Sequence, residues 1–418
     1  MIEPCDFNTT VCDITRSLEE YRHVVGDRQI TDLFRNARNL FGRHILAINS
    51  TFHGGGVAEM LTTFMPLINE IGVDMGWRIL HGNADFFTIT KKFHNALQGD
   101  DVHFTAMKQC IYLQTLENFS RYTHIDHDCV IIHDPQPLAL VRYYKRKQPW
   151  IWRCHLDISH PNQELWKWLM KYMIRFDKII VSSEKYMQED LPVEQVVCNP
   201  AIDPLSPKNK DLPPGTVEKY LSKFTIPTDK PIITQVSRFD KWKNPEGVID
   251  IFKEVKKEVD CRLVLCGSMA SDDPESTAIQ ERIARLAQEN KYHDDIVLIT
   301  SENNIMVNAL QRTADVVIQR SIREGFGLTV SEALWKGTPV VASDVGGIPL
   351  QITDGYSGFL EEPGDTQAFV DRTVELLQDP DLAGKMGARG KEHVREKFLL
   401  PRLISDYLDI MTDTLSEC

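Results

Sequence analysis

Two carboxylates flank a loop with two glycines in the segment SIREGFGLTVSEALWKGTPVVAS (321–343). Glu324 lies in the loop, and Glu332 lies about one turn into a helix that we expect to begin near Leu328. A carboxylate accepts hydrogen bonds from neighbouring hydroxyl groups, so one could hold a hexose and the other a ribose. At about 1.5 Å of rise per helical residue, the two could be separated by roughly the length of a sugar diphosphate.

The loop between these carboxylates is suited to an anion. Gly325 and Gly327, on either side of Phe326, permit close backbone approach. The N–H groups of Leu328 and Thr329 at the helix start would face the anion, and the helix dipole adds a favourable potential. Each glutamate alone is more simply a surface residue. Together with the loop glycines and the KGTP sequence that follows, the pair favours a binding site for a sugar diphosphate.

A pair of cations follows another predicted strand, in QVSRFDKWKNP (235–245). Arg238 and Lys243 lie five residues apart, with a proline opening the next helix. Two cations at a strand end can neutralise a diphosphate as it leaves, which is the charge that develops in the transition state. The same spacing is common on solvated loops, so the pattern gains its meaning from the carboxylates.

A glycine-rich turn opens a helix near the start of the chain, in NSTFHGGGVAEML (49–61). Backbone N–H groups of Gly55, Gly56 and Val57 could reach a donor phosphate or an acceptor hydroxyl. The turn lacks the G-x-G-x-x-G spacing, and no acidic residue follows the second strand to hold an NAD ribose. These two observations count against a dehydrogenase.

Polar residues end two further strands of the first half, in HDPQP (133–137) and WRCHLDIS (152–159). His155 lies at a strand end beside Asp157, where a structural and a functional histidine are about equally expected. Asp134 and Asp157 are weaker candidates for holding acceptor hydroxyls. All of these residues follow strands, which is where ligands bind in open α/β sheets.

Short apolar runs alternate with helical patterns from residue 44 onward. Continuous β-branched runs separated by helix-length segments predict parallel sheets covered on both faces, the doubly wound α/β architecture. We predict strands at 44–50, 77–80, 129–134, 150–156 and 178–183, and a second series at 231–239, 261–267, 295–300, 315–321 and 338–344.

The proline-rich stretch PAIDPLSPKNKDLPPG (200–215) reads as an interdomain linker. It divides the chain into two Rossmann-like domains, 1–205 on the acceptor side and 206–395 on the nucleotide-sugar side, which face each other across a cleft. A last helix is expected over roughly 386–416, and its end, from about residue 396 to 418, could pack on either domain.

Composition excludes several other classes of protein. Hydrophobic residues make up 42% and charged residues 26%, which is globular usage, and the net charge of −13 argues against a nucleic-acid partner. The nine cysteines include no C-x-x-C pair, so we expect reduced thiols, no structural metal and a cytoplasmic protein. We find no signal peptide and no apolar run long enough to cross a membrane.

One helix invites a membrane interpretation. The segment ELWKWLMKYMIRF (164–176) places Lys167, Lys171 and Arg175 on one stripe among aromatic residues. A basic aromatic helix can lie on a membrane, but a polar face this narrow favours burial against the first sheet.

Several of these segments together resemble one family. The E-x7-E pattern of Glu324 and Glu332, with the following GTPVV strand and glycine pair, is similar to retaining glycosyltransferases of family 4 with the GT-B fold. The segments NST-x-x-GGGVAEM, TKKFHNALQG, HDPQP, WRCHLDIS and PAIDPLSPKN narrow the resemblance to trehalose glycosyltransferring synthases and the related trehalose phosphorylases. It covers residues 21 to about 398.

The resemblance implies roles for the residues above. Glu324 would contact donor-sugar hydroxyls, Glu332 the nucleotide ribose, Arg238 and Lys243 the pyrophosphate, and His155 the donor hexose. It also implies that the C-terminal helix crosses back to the first domain. The implied reaction moves glucose from a nucleoside-diphosphate glucose to the anomeric hydroxyl of free glucose, giving α,α-trehalose. With no convincing nucleophile in the sequence, front-face substitution fits better than a covalent intermediate.

Several alternatives stay open at this point. A trehalose phosphorylase would use inorganic phosphate in the same cationic pocket, and only a synthase needs a ribose contact at Glu332. A transferase with another acceptor and a sugar-nucleotide-binding regulator without turnover are further rivals. We expect no tightly bound cofactor, with UDP-, ADP- or GDP-glucose as co-substrate. The nucleotide base, stimulation by Mg²⁺ and a homodimer are left open, and neither nucleic acid nor membrane is expected as a partner.

Overall fold

The computed structural model describes residues 16–52, 56–268, 274–301 and 303–417. Within them the chain forms two six-stranded sheets, each parallel throughout. All ten predicted apolar runs are strands, and two short edge strands, β6 and β12, were missed. The strands are β1 (His44–Asn49), β2 (Asp74–Ile79), β3 (Cys129–His133), β4 (Trp150–Arg153), β5 (Lys178–Val181), β6 (Glu194–Val197), β7 (Ile232–Arg238), β8 (Arg262–Ser268), β9 (Ile296–Thr300), β10 (Val316–Gln319), β11 (Val340–Ser343) and β12 (Phe359–Glu361).

Both sheets have a strand order that reverses next to the first strand. The first runs β2-β1-β3-β4-β5-β6 and the second β12-β11-β10-β7-β8-β9. At such a reversal, the loops after neighbouring strands diverge and leave a crevice at the carboxyl edge of the sheet. The loops after β1 and β3 border this point in the first domain, and those after β7 and β10 border it in the second.

Helices cover both faces of each sheet. They are α1 (Arg22–Val25), α2 (Asp27–Ala37), α3 (Gly56–Glu70), α4 (Ala84–Leu97), α5 (Ala106–Tyr122), α6 (Gln163–Met173), α7 (Thr216–Lys223), α8 (Pro245–Val255), α9 (Pro274–Gln288), α10 (Asn304–Thr313), α11 (Leu328–Trp335), α12 (Thr366–Gln378), α13 (Pro380–Lys397) and α14 (Leu400–Ser416). Alternate residues of one strand enter different cores: Leu46 and Ile48 pack on one face of the first sheet, Ile45 and Ala47 on the other.

The C-terminal region corrects one prediction. The single helix expected over 386–416 is two helices, because the chain turns at Phe398 and Leu399 before Pro401 opens α14. Phe398 and Leu399 belong to the core of the second domain, whereas α14 inserts Leu403 and Tyr407 into a core of the first. The last helix therefore crosses back to the first domain. The domain limits set at 205, 206 and 395 stay predictions.

The basic aromatic segment is buried as expected. In α6, Trp166, Leu169 and Met173 lie in a core of the first sheet, while Lys167 and Lys171 are exposed. None of the described helices is both long and apolar enough to cross a bilayer.

Candidate functional site

The glycine loop, which we define as residues 320–327 between β10 and α11, lies against the first domain. A Cβ atom added to Gly325 would stand 2.3 Å from the carbonyl oxygen of His155, so only glycine fits there. Gly327 has φ of +85° and caps α11, which leaves the first N–H groups of that helix without intrahelical partners. Gly325 therefore allows the close approach between the domains, and Gly327 provides the turn at which α11 begins.

Glu324 is held beside the predicted cation Lys243. Its side-chain oxygen Oε2 forms an ion pair with Lys243 Nζ and lies 3.4 Å from Ser321 Oγ. Lys243 ends a short 3-10 helix that follows β7, where Asp240 accepts a hydrogen bond from its backbone N–H. The structure thus brings together two residues that the sequence separates by 81 positions.

Arg238 ends β7 and remains half exposed. Its guanidinium lies 3.2 Å from the buried Asp240 carboxylate. His94 of α4 approaches this region from the first domain. Burial lowers the pKa of His94, and the nearby charges of Lys91, Arg238 and then Lys243 lower it further. The imidazole therefore stays neutral beside the two predicted phosphate-binding cations.

Glu332 occupies the buried side of α11 and is 5% exposed. Its Oε1 lies 3.5 Å from Lys208 Nζ, and its Oε2 has no hydrogen-bond partner among the described residues. Lys208 also forms a 2.7 Å ion pair with Glu59 of α3. Burial raises the pKa of Glu332, whereas Lys208 opposes that shift.

The other predicted donor-site residues differ in what they can offer a ligand. The Phe326 side chain is packed in the core against Phe398, so only its backbone could contact a donor. Thr329 Oγ1 accepts a 2.6 Å hydrogen bond from Gln319. Gly56 begins α3, and a Cβ there would lie 3.6 Å from Leu328, so the starts of α3 and α11 face each other. Gly55 lies outside the described residues.

His155 forms part of a polar cluster at the ends of β3 and β4, in which His133 is buried and His155 and Asp134 are half-buried. Its Nε2 lies 3.0 Å from Nδ1 of His133, and its backbone N–H donates to Asp134 Oδ1 at 2.9 Å. Burial lowers the pKa of His155, and Arg153 and His133 lower it further. Burial raises the pKa of Asp134 to about 6, and this residue has φ of +63°.

Asp157 is engaged in contacts of its own. One carboxylate oxygen accepts hydrogen bonds from the backbone and hydroxyl of Ser159, at 3.0 and 2.6 Å. The other lies 3.4 Å from Arg323 of the glycine loop. The contact with Arg323 joins the two domains, and acceptor binding by Asp157 and Asp134 stays a prediction.

Four residues of the site were not predicted from the sequence: His94, His133, Tyr186 and Lys208. The Tyr186 hydroxyl donates towards the carbonyl oxygens of Glu324 and Gly325, at 2.9 and 2.8 Å. His94, His133 and Lys208 belong to segments that carried the family resemblance, which was the available signal. Among the described residues, no group of three His, Cys, Asp or Glu side chains could hold a metal ion.

Two family models match the chain. The model described as trehalose synthase, N-terminal domain, covers residues 47–188, and that of glycosyl transferases group 1 covers residues 216–393. Among solved structures, sucrose-phosphate synthase from Thermosynechococcus elongatus superimposes with a TM-score of 0.72 at 18% identity, covering 90% of this chain and 100% of the other. The UDP-forming α,α-trehalose-phosphate synthase from Burkholderia xenovorans also gives 0.72, at 12% identity and 89% and 100% coverage. These similarities establish the GT-B fold.

Relatives found by sequence comparison share a higher identity with this chain than these solved structures do. Trehalose synthase from Thermococcus litoralis is 42% identical over 95% of this chain and 97% of its own length. Trehalose synthase from Rubrobacter xylanophilus is 43% identical over 96% and 97%. Trehalose phosphorylase from Pleurotus pulmonarius is 31% identical over 91% of this chain but only 58% of its own length. The chain therefore belongs to the trehalose synthase family of group 1 glycosyltransferases.

Proposed function

We propose that this protein transfers glucose reversibly between a nucleoside diphosphate and the anomeric hydroxyl of free glucose, with α,α-trehalose as the product. The observation that carries the proposal is the arrangement around the start of α11. The Lys243–Glu324 ion pair lies at the glycine loop, and the buried Glu332 lies within α11. Arg238 is the last residue of β7. The trehalose synthases that match the chain over nearly its whole length support the same reaction.

The donor would bind along this arrangement. Its diphosphate would lie at the α11 N-terminus, where N–H groups and two cations meet negative charge. Lys243 would then exchange Glu324 for phosphate oxygens, which would leave the Glu324 carboxylate to accept hydrogen bonds from glucose hydroxyls. Glu332 would accept from the ribose. His155, neutral because it is buried, would contribute a ring nitrogen to the hexose.

The transfer would proceed on one face of the donor sugar and retain its α configuration. The bond between glucose C1 and the phosphate oxygen breaks, and the acceptor oxygen bonds to C1 from the same side. The acceptor's proton passes to the departing phosphate oxygen. Arg238, Lys243 and the α11 N-terminus stabilise the charge on that oxygen, which is where electrostatic catalysis has its largest effect.

A trehalose phosphorylase is the second candidate, because the Pleurotus pulmonarius enzyme matches over 91% of this chain. Phosphate would occupy the same cations, but it brings no ribose to Glu332. The buried Glu332 Oε2 without a protein partner favours the nucleotide.

We place the reaction in the cytoplasm, where the six described cysteines, none in a disulfide, would remain reduced.

The test is a donor and acceptor panel. The protein is incubated with UDP-, ADP- or GDP-glucose and with glucose, glycerate or no acceptor, with and without Mg²⁺, and products are identified by NMR. We expect α,α-trehalose with glucose and at least one donor. Transfer only to glycerate or another acceptor would overturn the assignment of glucose. Binding of every donor without any product would favour a regulator.

A further inference from the structure

Lys208 connects the interdomain linker to both domains. Its ammonium lies 2.7 Å from Glu59 Oε2 on α3 and 3.5 Å from Glu332 Oε1 on α11. The Lys208 side chain is only 16% exposed. Burial alone would lower the pKa of Lys208, but Glu332 and Glu59 outweigh it and raise that pKa. A permanent positive charge is therefore held against the carboxylate expected to meet the ribose.

Glu332 needs such a charge. Taking a carboxylate out of water is costly unless it is paired, and an unpaired one takes up a proton instead. The neighbouring Lys336 does not fill this role, because its Nζ donates to the Glu332 backbone oxygen and to Asn209 Oδ1. Burial also lowers the pKa of Lys336. Within the part of the chain that the structure describes, Lys208 is thus the cation that pairs with the Glu332 carboxylate, whereas Lys336 contacts only the backbone oxygen of that residue.

The second carboxylate oxygen of Glu332 lacks a partner among the described residues, which indicates a contact with a ligand. Oε2 is buried without a hydrogen-bond partner in the described structure, while Oε1 faces Lys208. Buried polar atoms in proteins are rarely left unsatisfied without a functional reason. A carboxylate with one oxygen fixed by a cation and the other available is oriented to accept from a sugar hydroxyl.

We propose that Lys208 is a positioning residue that keeps Glu332 ionised and oriented for the ribose hydroxyls. It thereby sets the preference of the site for a nucleoside diphosphate over inorganic phosphate. This inference rests on the proposed function, because it assumes that Glu332 meets a ribose. Without Lys208, Glu332 would take up a proton, and its hydrogen bonds to hydroxyl groups would be weaker because the negative charge is lost.

The test compares binding of two ligands by calorimetry. One is whichever of UDP, ADP and GDP supports trehalose cleavage, and the other is its 2′,3′-dideoxy counterpart. Wild-type protein should bind the dideoxy ligand roughly tenfold to hundredfold more weakly, as expected for losing hydrogen bonds to a charged group. In Lys208→Met, the two ligands should differ by less than about threefold. Lys208→Arg should restore most of the difference.

Two further variants separate charge from structure. Lys210→Met removes the same charge from an exposed position of the same linker and should keep the wild-type difference. Lys208→Gln removes the charge but keeps a polar side chain with a hydrogen-bond donor, so it should behave like Lys208→Met and serves if that variant fails to fold. Thermal melting checks that each variant is folded.

The possible failures are distinguishable. If wild-type protein binds both ligands equally, Glu332 does not hold a ribose, and the ribose contact in the proposed function is wrong. If wild-type protein distinguishes them and the folded Lys208 variants do so equally well, the role of Lys208 is wrong while the proposed function stands.

Discussion

At the residue scale, the charged side chains around the site lie against opposite charges, and apart from the Arg238–Asp240 pair these partners come from distant parts of the sequence. Lys243 faces Glu324, Arg238 faces Asp240, and Lys208 faces both Glu59 and Glu332. Each pair balances charge that would be costly to bury alone. A ligand with both phosphate and hydroxyl groups can replace these partners one for one, because phosphate satisfies the cations and hydroxyls satisfy the carboxylates.

Replacing Lys243 by alanine tests the leaving-group role. We expect turnover to fall about a hundredfold, with a much smaller change in donor affinity, because the charge on the leaving phosphate is greatest in the transition state. Steady-state kinetics with the active donor measure both quantities. Lys219→Ala, on the exposed side of α7, should leave them unchanged. Intact turnover in Lys243→Ala would remove this residue from the mechanism.

Asp134→Asn should make the protein more stable at neutral pH. The pKa of Asp134 is raised from 3.8 to about 6, so its contribution to stability is fully present below about 3.8 and is lost as pH rises through 6. Asparagine removes that loss and tolerates the positive φ. Urea unfolding should show a larger gain at pH 7.5 than at pH 5.

Asp128→Asn provides the comparison of opposite sign. A backbone hydrogen bond from His44 lowers the pKa of Asp128, and Arg43 adds to the effect. Its ionised form therefore stabilises the fold, and this variant should lose stability at pH 7.5. Equal stability changes for Asp134→Asn at pH 5 and pH 7.5 would contradict the proposed environment of Asp134.

At the element scale, the glycine loop determines how closely the second domain approaches the first. Gly325 lies against the His155 carbonyl with no room for a methyl group. The same loop ends at Gly327, from which α11 presents its N-terminus. The start of α11, where we propose that the diphosphate binds, and the contact with His155 therefore depend on the same few residues.

Gly325→Ala tests whether the close contact between the glycine loop and His155 is needed for activity. The added methyl would push the loop from His155, and we expect activity to fall on the order of a hundredfold, as small misplacements of reacting groups do. Gly384→Ala, in α13 with nothing within 4 Å, should keep full activity and gain some stability. Wild-type activity in Gly325→Ala would show that this contact does not position the site.

The sequence predicted most elements but not their contacts. Apolar runs such as those of β1 and β7 are unambiguous because both faces are buried. The missed strands β6 and β12 are short edges, and EQVV of β6 carries polar residues at its start. The break at Phe398 and Leu399 was missed because the helical pattern continues on both sides and only packing on different domains separates it.

For the site, too, individual residues could be predicted from the sequence but most of their contacts could not. Glu324, Glu332 and Lys243 stand out because they lie beside glycines or strand ends, and the structure pairs Lys243 with Glu324 and places Glu332 on the helix that follows. Lys208 and Tyr186 act through partners more than a hundred positions away, and no local pattern assigned a role to either, although Lys208 lies in a segment that carried the family resemblance. Such pairings depend on how the two domains dock, which residue spacing does not encode.

At the scale of the whole molecule, polar contacts hold the two domains against each other around the site. Tyr186 reaches the glycine loop, Arg323 pairs with Asp157, and Lys241 pairs with Asp100. These contacts are polar, and domains joined in this way are expected to move relative to each other. Closure on a donor would exclude water from the transfer.

Tyr186→Phe tests this docking. Loss of the hydroxyl should reduce the closed population about twofold to tenfold, as expected for one hydrogen bond, and lower activity in proportion. Small-angle X-ray scattering should report a larger radius of gyration. Tyr143→Phe removes a 2.8 Å hydrogen bond within the first domain and should change neither quantity. Unchanged scattering and activity in Tyr186→Phe would show that this contact does not control closure.

The most direct test of the central claim is the reverse reaction, followed by NMR from trehalose as the only sugar. Trehalose is supplied either with a nucleoside diphosphate or with inorganic phosphate. We predict nucleoside-diphosphate glucose and free glucose in the first mixture and no glucose 1-phosphate in the second. Formation of glucose 1-phosphate from phosphate, with no reaction in the presence of UDP, ADP or GDP, would contradict the proposed function and assign the site to a phosphorylase.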